Sequence, residues 1–241
     1  RTVAQLRFEE FISAAELANE RVNGGNAELV PQRSWEALAT VEKQVLGNGL
    51  VKIELGYTRT ALVQDRVPTP EGFDAPGNLG DGTSKIARAT YDIPVSKLGI
   101  KGGRISGRLS YVGTSVRDPY TGRQRPYSGA SPFVYEVNWR QDLGNFAWGF
   151  GVAGDDPYTY YRRDELDTGY PSNPYLTAFA EYRPTRTTTV TLAIDNLSDA
   201  DTRRRRLFFD PDRRSTTPVR VEDRVRSQHI LPSLTIKHNF G

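Results

Sequence analysis

The stretch His229-Ile230-Leu231-Pro232-Ser233-Leu234-Thr235-Ile236-Lys237-His238-Asn239-Phe240-Gly241 decides how the rest of the chain is read. Successive side chains of a strand point to opposite faces. Leu234, Ile236, His238 and Phe240 therefore share one side, and Ser233, Thr235, Lys237 and Asn239 the other. An apolar side of this kind faces a dry core in a soluble sandwich and hydrocarbon in a membrane barrel.

The same period of two recurs upstream. Trp35, Ala37, Ala39, Val41 and Val45 oppose Glu36, Thr40, Glu42 and Gln44; past Gly47-Asn48-Gly49, Val51, Ile53, Leu55 and Tyr57 oppose Lys52, Glu54, Gly56 and Thr58. This pair reads as a hairpin around a short turn. Further strands centre on Ile105, Leu109 and Tyr111, on Phe133 to Trp139, on Phe146 to Val152 and on Val190 to Ile194, with weaker candidates at 2–12, 83–93 and 174–184. The total is about ten antiparallel strands. Short links near 47–49, 94–101, 143–145 and 184–186 alternate with long ones near 13–33, 64–82, 113–131, 159–173 and 196–228.

Long polar loops at one end and tight turns at the other describe an outer-membrane barrel. A sandwich with one functional end also has unequal loops. Charge in mid-strand, at Glu54, Arg108, Glu136 and Arg140, favours the barrel, whose wet lumen accommodates it. Trp35, Tyr57, Tyr111, Tyr135, Trp139, Trp148 and Tyr182 sit on the apolar phase, several near strand ends, as an interfacial girdle requires.

Composition narrows the function classes. No run approaches the roughly 18 to 20 apolar residues of a membrane helix, and mean hydropathy is -0.56, which strands that alternate apolar with polar accommodate. The 241 residues include no cysteine, which excludes disulfides, thiol catalysis and thiolate-ligated metals. His229 and His238 have no metal-ligand spacing, and no constellation supports catalysis, so the chain is not read as an enzyme. Beginning at Arg1 inside a strand, it is read as a processed product or a segment of something longer.

The net charge is +3, and nine arginines between Arg203 and Arg226 face Asp210, Asp212, Glu222 and Asp223 in the same stretch. The excess is local, so no nucleic-acid partner is expected. Continued alternation through this stretch would turn Arg204 and Arg206 toward an anionic solute and Arg203 and Arg205 toward lipopolysaccharide phosphates, and Arg213 and Arg214 further along are assigned to lipopolysaccharide as well, since guanidinium pairs bidentately with either anion; a hydrated loop balanced by its own acids is the plainer alternative. Asp155, Asp156, Tyr158, Tyr160 and Tyr161 are ligand-contact candidates in another long loop, which also holds Asp164, Glu165 and Asp167. Its oxygen donors make a loop calcium conceivable, without EF-hand spacing, and solvated carboxylates and rim-packing tyrosines are the alternatives.

Three segments resemble TonB-dependent outer-membrane receptors. Gly25-Asn26-Ala27-Glu28-Leu29-Val30-Pro31-Gln32-Arg33-Ser34-Trp35 is similar to the family's GNPxLxPExS segment, with Ala27 and Gln32 where proline and glutamate are usual. Val190-Thr191-Leu192-Ala193-Ile194-Asp195-Asn196-Leu197-Ser198-Asp199 resembles the penultimate-strand signature ending in NLFD, with Ser198 replacing the aromatic residue, and Phe240 resembles the C-terminal aromatic, here followed by Gly241. Asn26, Leu29, Pro31, Asn196, Leu197, Asp199 and Phe240 carry the resemblance.

The resemblance implies an all-β, antiparallel transmembrane barrel segment: the C-terminal portion, across 1–241, of a 22-stranded barrel whose plug and first strands lie elsewhere. It implies a receptor in the bacterial outer membrane that imports a scarce nutrient such as a ferric siderophore, energised by the TonB complex through the plug. Barrel-assembly machinery at the last strand, lipopolysaccharide and the remaining receptor segment or chain are the other implied partners; the iron-siderophore is substrate, and no intrinsic cofactor is implied. The residues themselves leave a passive porin-like barrel and a soluble carbohydrate-binding β-sandwich open.

Overall fold

The computed structural model describes residues 2–12, 26, 29–69 and 72–239. The strands, in chain order, are β1 (Thr2–Ile12), β2 (Arg33–Val45), β3 (Gly49–Ala61), β4 (Gln64–Pro68), β5 (Asp74–Asn78), β6 (Gly82–Pro94), β7 (Gly103–Arg117), β8 (Gln124–Arg125) and β9 (Phe133–Leu143). There follow β10 (Phe146–Asp155), β11 (Tyr158–Tyr161), β12 (Glu165–Pro171), β13 (Tyr175–Tyr182), β14 (Thr188–Asp195), β15 (Thr202–Phe208), β16 (Arg220–Arg226) and β17 (Leu231–His238). Among the described residues the one helical element is a 3-10 turn at Ser96–Leu98, so the fold is all-β.

The largest sheet runs in the order β1-β2-β3-β6-β7-β9-β10-β13-β14-β17, with short β8 beside β7. Each neighbouring pair is antiparallel. Its path is the set of segments expected from period-two patterning, the three weak candidates included. Because each strand pairs with its predecessor along the path, every long connection leaves from one end of the sheet and every short one from the other.

Register explains the patterning. Leu6, Ala39, Leu55, Ala87 and Tyr111 lie in one row across five strands, and the adjacent row is Gln5, Thr40, Glu54, Arg88 and Ser110. Slipping any strand by one residue would exchange its apolar and polar faces. The faces differ in an unusual sense. Leu55 is 56% exposed, while Glu54 and Ser110 of the polar row are 9% exposed. In β10, Phe146, Trp148 and Phe150 are exposed and Ala147, Gly149 and Gly151 are buried. A Cβ on Gly149 would stand 2.3 Å from the Trp139 carbonyl oxygen and 2.5 Å from the Phe179 ring, so a side chain there would force the strands apart.

Ion pairs line the polar face. Glu54 meets Lys52 at 2.8 Å and Arg88 at 3.4 Å; Asp92 pairs with Arg104; Arg140 bridges Asp142 and Glu181. Among the described residues the buried apolar cluster is Val63, Leu79 and Val116, with Val67 and Tyr127 against it. This small core lies where long connections meet β7 rather than between sheets.

The first hairpin has the short turn expected, in a loop longer than two residues. Val45 pairs with Gly49, leaving a three-residue turn at 46–48, and the left-handed residues are Leu46 (φ 50°) and Gly47 (φ 103°). The Asn48-Gly49 dipeptide thus marks the turn without supplying its strained positions.

Candidate functional site at the long-connection end

The long connections carry their own structure. β4 and β5 form a hairpin between β3 and β6, and a second sheet, in the order β11-β12-β15-β16, is built from the connections before β13 and before β17. A buried polar network ties these connections together. Asp118 begins Asp118-Pro119-Tyr120-Thr121-Gly122, and its Oδ1 accepts the Tyr120 and Thr121 N–H groups at 3.0 and 2.9 Å, the local turn bond favoured by aspartate. Its Oδ2 accepts Arg125 Nε at 2.9 Å and Arg213 Nη2 at 2.6 Å. The Asp118 side chain is 1% exposed and the two arginine side chains 6%.

The network spreads from this centre. Arg125 Nη2 also donates to Asp65 in β4 at 2.9 Å, and Ser128 Oγ donates to the same carboxylate at 2.8 Å. Arg213 donates through Nε to the Arg162 carbonyl and through its backbone N–H to the Arg163 carbonyl at 3.0 Å. The Tyr161 ring lies 4.4 Å from the Arg125 guanidinium and 5.6 Å from that of Arg213, so both cations also stack on an aromatic face. Four connections meet in this network, two of them on the Asp118 carboxylate itself.

Burial alone would raise the Asp118 pKa, but the Thr121 N–H, the Arg213 guanidinium and the Tyr120 N–H outweigh it and hold the carboxyl below its usual range. Burial raises the phenols of Tyr120 and Tyr161, with nearby arginines opposing the shift. The Arg214 guanidinium beside Asp212 pushes that carboxyl down to about 2.

The expected ligand residues separate into three places. Arg204 and Arg206 share a face of β15, where Arg204 donates to Asp167 at 2.7 Å and Arg206 to Glu165 and, at 2.9 Å, to Glu222; their charges are matched within the second sheet. Tyr160 and Tyr161 line a cavity of about 480 Å³ with Gln32, Asp65, Arg66 and Arg162. Asp155 borders a separate hollow of about 390 Å³ with Arg108, Glu136 and Gln228; Asp156 is exposed, and the Tyr158 ring packs edge-on to Tyr160 at 5.9 Å.

The arginines read toward lipopolysaccharide also divide. Arg203 and Arg205 lie on the exposed alternation of β15, and Arg214 is exposed while bound to Asp212. Arg213 is the correction: its guanidinium is buried against Asp118, donating to that carboxylate and to the Arg162 carbonyl inside the loop layer, while its backbone N–H is held by the Arg163 carbonyl. Six of the nine arginines in this stretch, at 204, 205, 206, 213, 214 and 220, have carboxylate partners. Glu165 and Asp167, read as oxygen donors for calcium, are spent on arginines, and no group of three or more His, Cys, Asp or Glu suited to a metal ion occurs among the described residues.

The motif residues have structural roles. Asn196, fully buried in the left-handed region (φ 53°), accepts the Ala200 N–H at 2.7 Å and donates to the Ala200 and His229 carbonyls at 3.0 and 3.1 Å, which fixes the exit from β14 against the entry to β17. The Leu197 N–H donates to the Leu176 carbonyl at 2.8 Å, and the Asp199 N–H to the Asn196 carbonyl at 2.9 Å. In the first motif, the Leu29 N–H reaches the Asn26 carbonyl at 3.2 Å, and both backbone groups of Val30, beside exposed Pro31, bond to Asn78. Phe240 lies outside the described residues.

Asp65, Asp118, Arg125 and the inward role of Arg213 escape the sequence reading because their partners are 60 and 95 residues apart in the Arg125–Asp65 and Arg213–Asp118 pairs. The turn signature at Asp118 was the local signal. Comparison with known proteins returns nothing: no family model, no curated protein and no solved structure matches the chain.

Proposed function

We propose that the ten-stranded sheet is part of the wall of an outer-membrane barrel and that its long-connection end faces outward, in a receptor that imports a scarce nutrient. One observation carries the reading: the sheet exposes its apolar rows and places its ion pairs on the opposite face, where the Glu54 and Glu181 side chains are only 12% and 16% exposed. In water such a surface is a liability; in a bilayer the apolar face meets hydrocarbon and the polar face a hydrated lumen. The same inversion favours a membrane wall over a soluble carbohydrate-binding sandwich, in which Leu55, Phe150 and Leu192 would lie between sheets.

The three motif resemblances support a TonB-dependent receptor over a passive porin. In that reading a plug outside this chain binds TonB, the C-terminal strand engages the barrel-assembly machinery, and a further segment or chain pairs with the sides of β1 and β17 that have no strand beside them among the described residues, since lipid satisfies no open backbone edge. The cargo is a ferric siderophore or comparable solute. Arg203 and Arg205, on the exposed alternation of β15, would meet lipopolysaccharide phosphates in this reading. The function is tested by uptake into proteoliposomes holding the complete receptor. Import is expected to need TonB and an energised membrane; equal uptake without either would establish passive diffusion instead.

A further inference from the structure

We propose that the cavity between Arg66, Arg162 and Tyr160 binds a small carboxylate carrying a planar ring. The inference rests on the outward orientation of the long-connection end and names a ligand class for it. The cavity of about 480 Å³ falls in the range of small-molecule sites, roughly 300 to 1,000 Å³.

Its charge balance selects an anion. Arg66 Nη1 is buried and has no hydrogen-bond partner among the described residues, and a cationic donor left unpaired away from water is costly until an acceptor arrives. Arg162 reaches its nearest carboxylate, Glu165, only at 4.0 Å, and Glu165 is already bound by Arg206. Asp65, the carboxylate on the cavity wall, is consumed: it accepts Arg125, Ser128 and the Arg66 backbone N–H at 2.9, 2.8 and 2.8 Å. One unpaired guanidinium nitrogen and one loosely held guanidinium match a single carboxylate.

The walls select the rest of the ligand. Tyr127, Tyr160 and Tyr161 contribute rings to the cavity. Tyr161 is held by the two network arginines, whereas Tyr160 is 48% exposed and offers a face on which a planar ring packs. Arginine would orient the acid group and Tyr160 the ring.

Titration calorimetry on the complete receptor in detergent micelles tests the site with 4-hydroxybenzoate as probe, benzyl alcohol as its neutral match, acetate as the ringless match and phenyl phosphate as the dianion. Saturable one-site binding of 4-hydroxybenzoate is expected, weakened about tenfold or more by Arg66→Gln and unchanged by Arg224→Gln, an exposed residue of β16. Tyr160→Trp leaves Arg66 intact and should report the same binding by fluorescence quenching. Equal binding of benzyl alcohol, preference for acetate or phenyl phosphate, equal losses in both arginine variants, or an unquenched signal from the introduced indole would each overturn the proposal. Binding in micelles without energised uptake would defeat the import reading and leave this site standing; uptake of the acid without micellar binding would do the reverse.

Discussion

Removing the Asp118 carboxylate is the sharpest test of the loop layer. In Asp118→Ala, Arg125 and Arg213 lose their shared acceptor while their side chains remain 6% exposed. Breaking a buried ion pair from one side costs about 3–5 kcal/mol, and every 1.4 kcal/mol or so is tenfold, so the opening constant of the layer should rise by roughly two to four powers of ten. The loss should be local, because β3, β7, β10 and β14 are held by their own ladders. Hydrogen exchange read by mass spectrometry on the membrane-reconstituted protein should show faster exchange across β11, β12 and β15, with the ten-stranded sheet unchanged. Asp118→Asn, which retains an oxygen for the two turn N–H groups but no charge, should fall between the native protein and the alanine variant. Unaltered exchange in β12 and β15 would refute the network's role; uniform loss across the large sheet would show that loop layer and wall do not separate.

Other outcomes follow from the same geometry. Leu55→Arg, on the exposed apolar row, should cost about 2–4 kcal/mol if it lies near the bilayer midplane, seen as loss of the heat-modifiable folded band on gels; a globule in water would tolerate it. Bilayer-tail quenchers should reach fluorophores at Ile53, Leu109 and Leu192, and shielding at all three would end the membrane reading. Asn196→Ala should destabilise by about 1–3 kcal/mol by leaving buried partners unsatisfied, measured as a lower denaturant midpoint; no change would remove the motif's structural role. Loop protection should stay level from pH 7 to pH 5. Asp118 and Asp212 have folded pKa values below their unfolded values, so their contributions are complete above the ordinary carboxylate pKa of about 3.9 and are lost as pH falls through the folded values, for Asp212 between about 4 and about 2. A fall in protection between pH 7 and 5 would contradict this assignment.

Period-two alternation made the large sheet legible, since a strand shows its two environments directly in its residue order. The weak segments 2–12, 83–93 and 174–184 also became strands, where pairing supplied what their own patterns lacked. What alternation conveys poorly is which face is wet, because a sandwich and a barrel share the pattern; the proposed barrel reading rests instead on the exposure of Leu55 beside the burial of Glu54. The loop layer was less legible. Alternation did sort Arg203 and Arg205 from Arg204 and Arg206, but Arg213 follows no period, and its acceptor lies in a distant connection. Long-range ion pairs leave no spacing to read. The cavity depends on the same convergence, since Gln32, Arg66 and Tyr160 meet only after three connections fold together.

The matching of arginines to carboxylates across β12, β15 and β16 bears on how anything arrives at this end. A run that looks strongly basic when written out presents mostly short-range dipoles to the surroundings, and fields from such pairs die away within a few ångströms in saline. In the proposed receptor, diffusing solutes would be gathered by collision rather than drawn from afar, and discrimination would begin at touch. Arrival rates should be nearly indifferent to ionic strength, in contrast to a bare polyarginine surface.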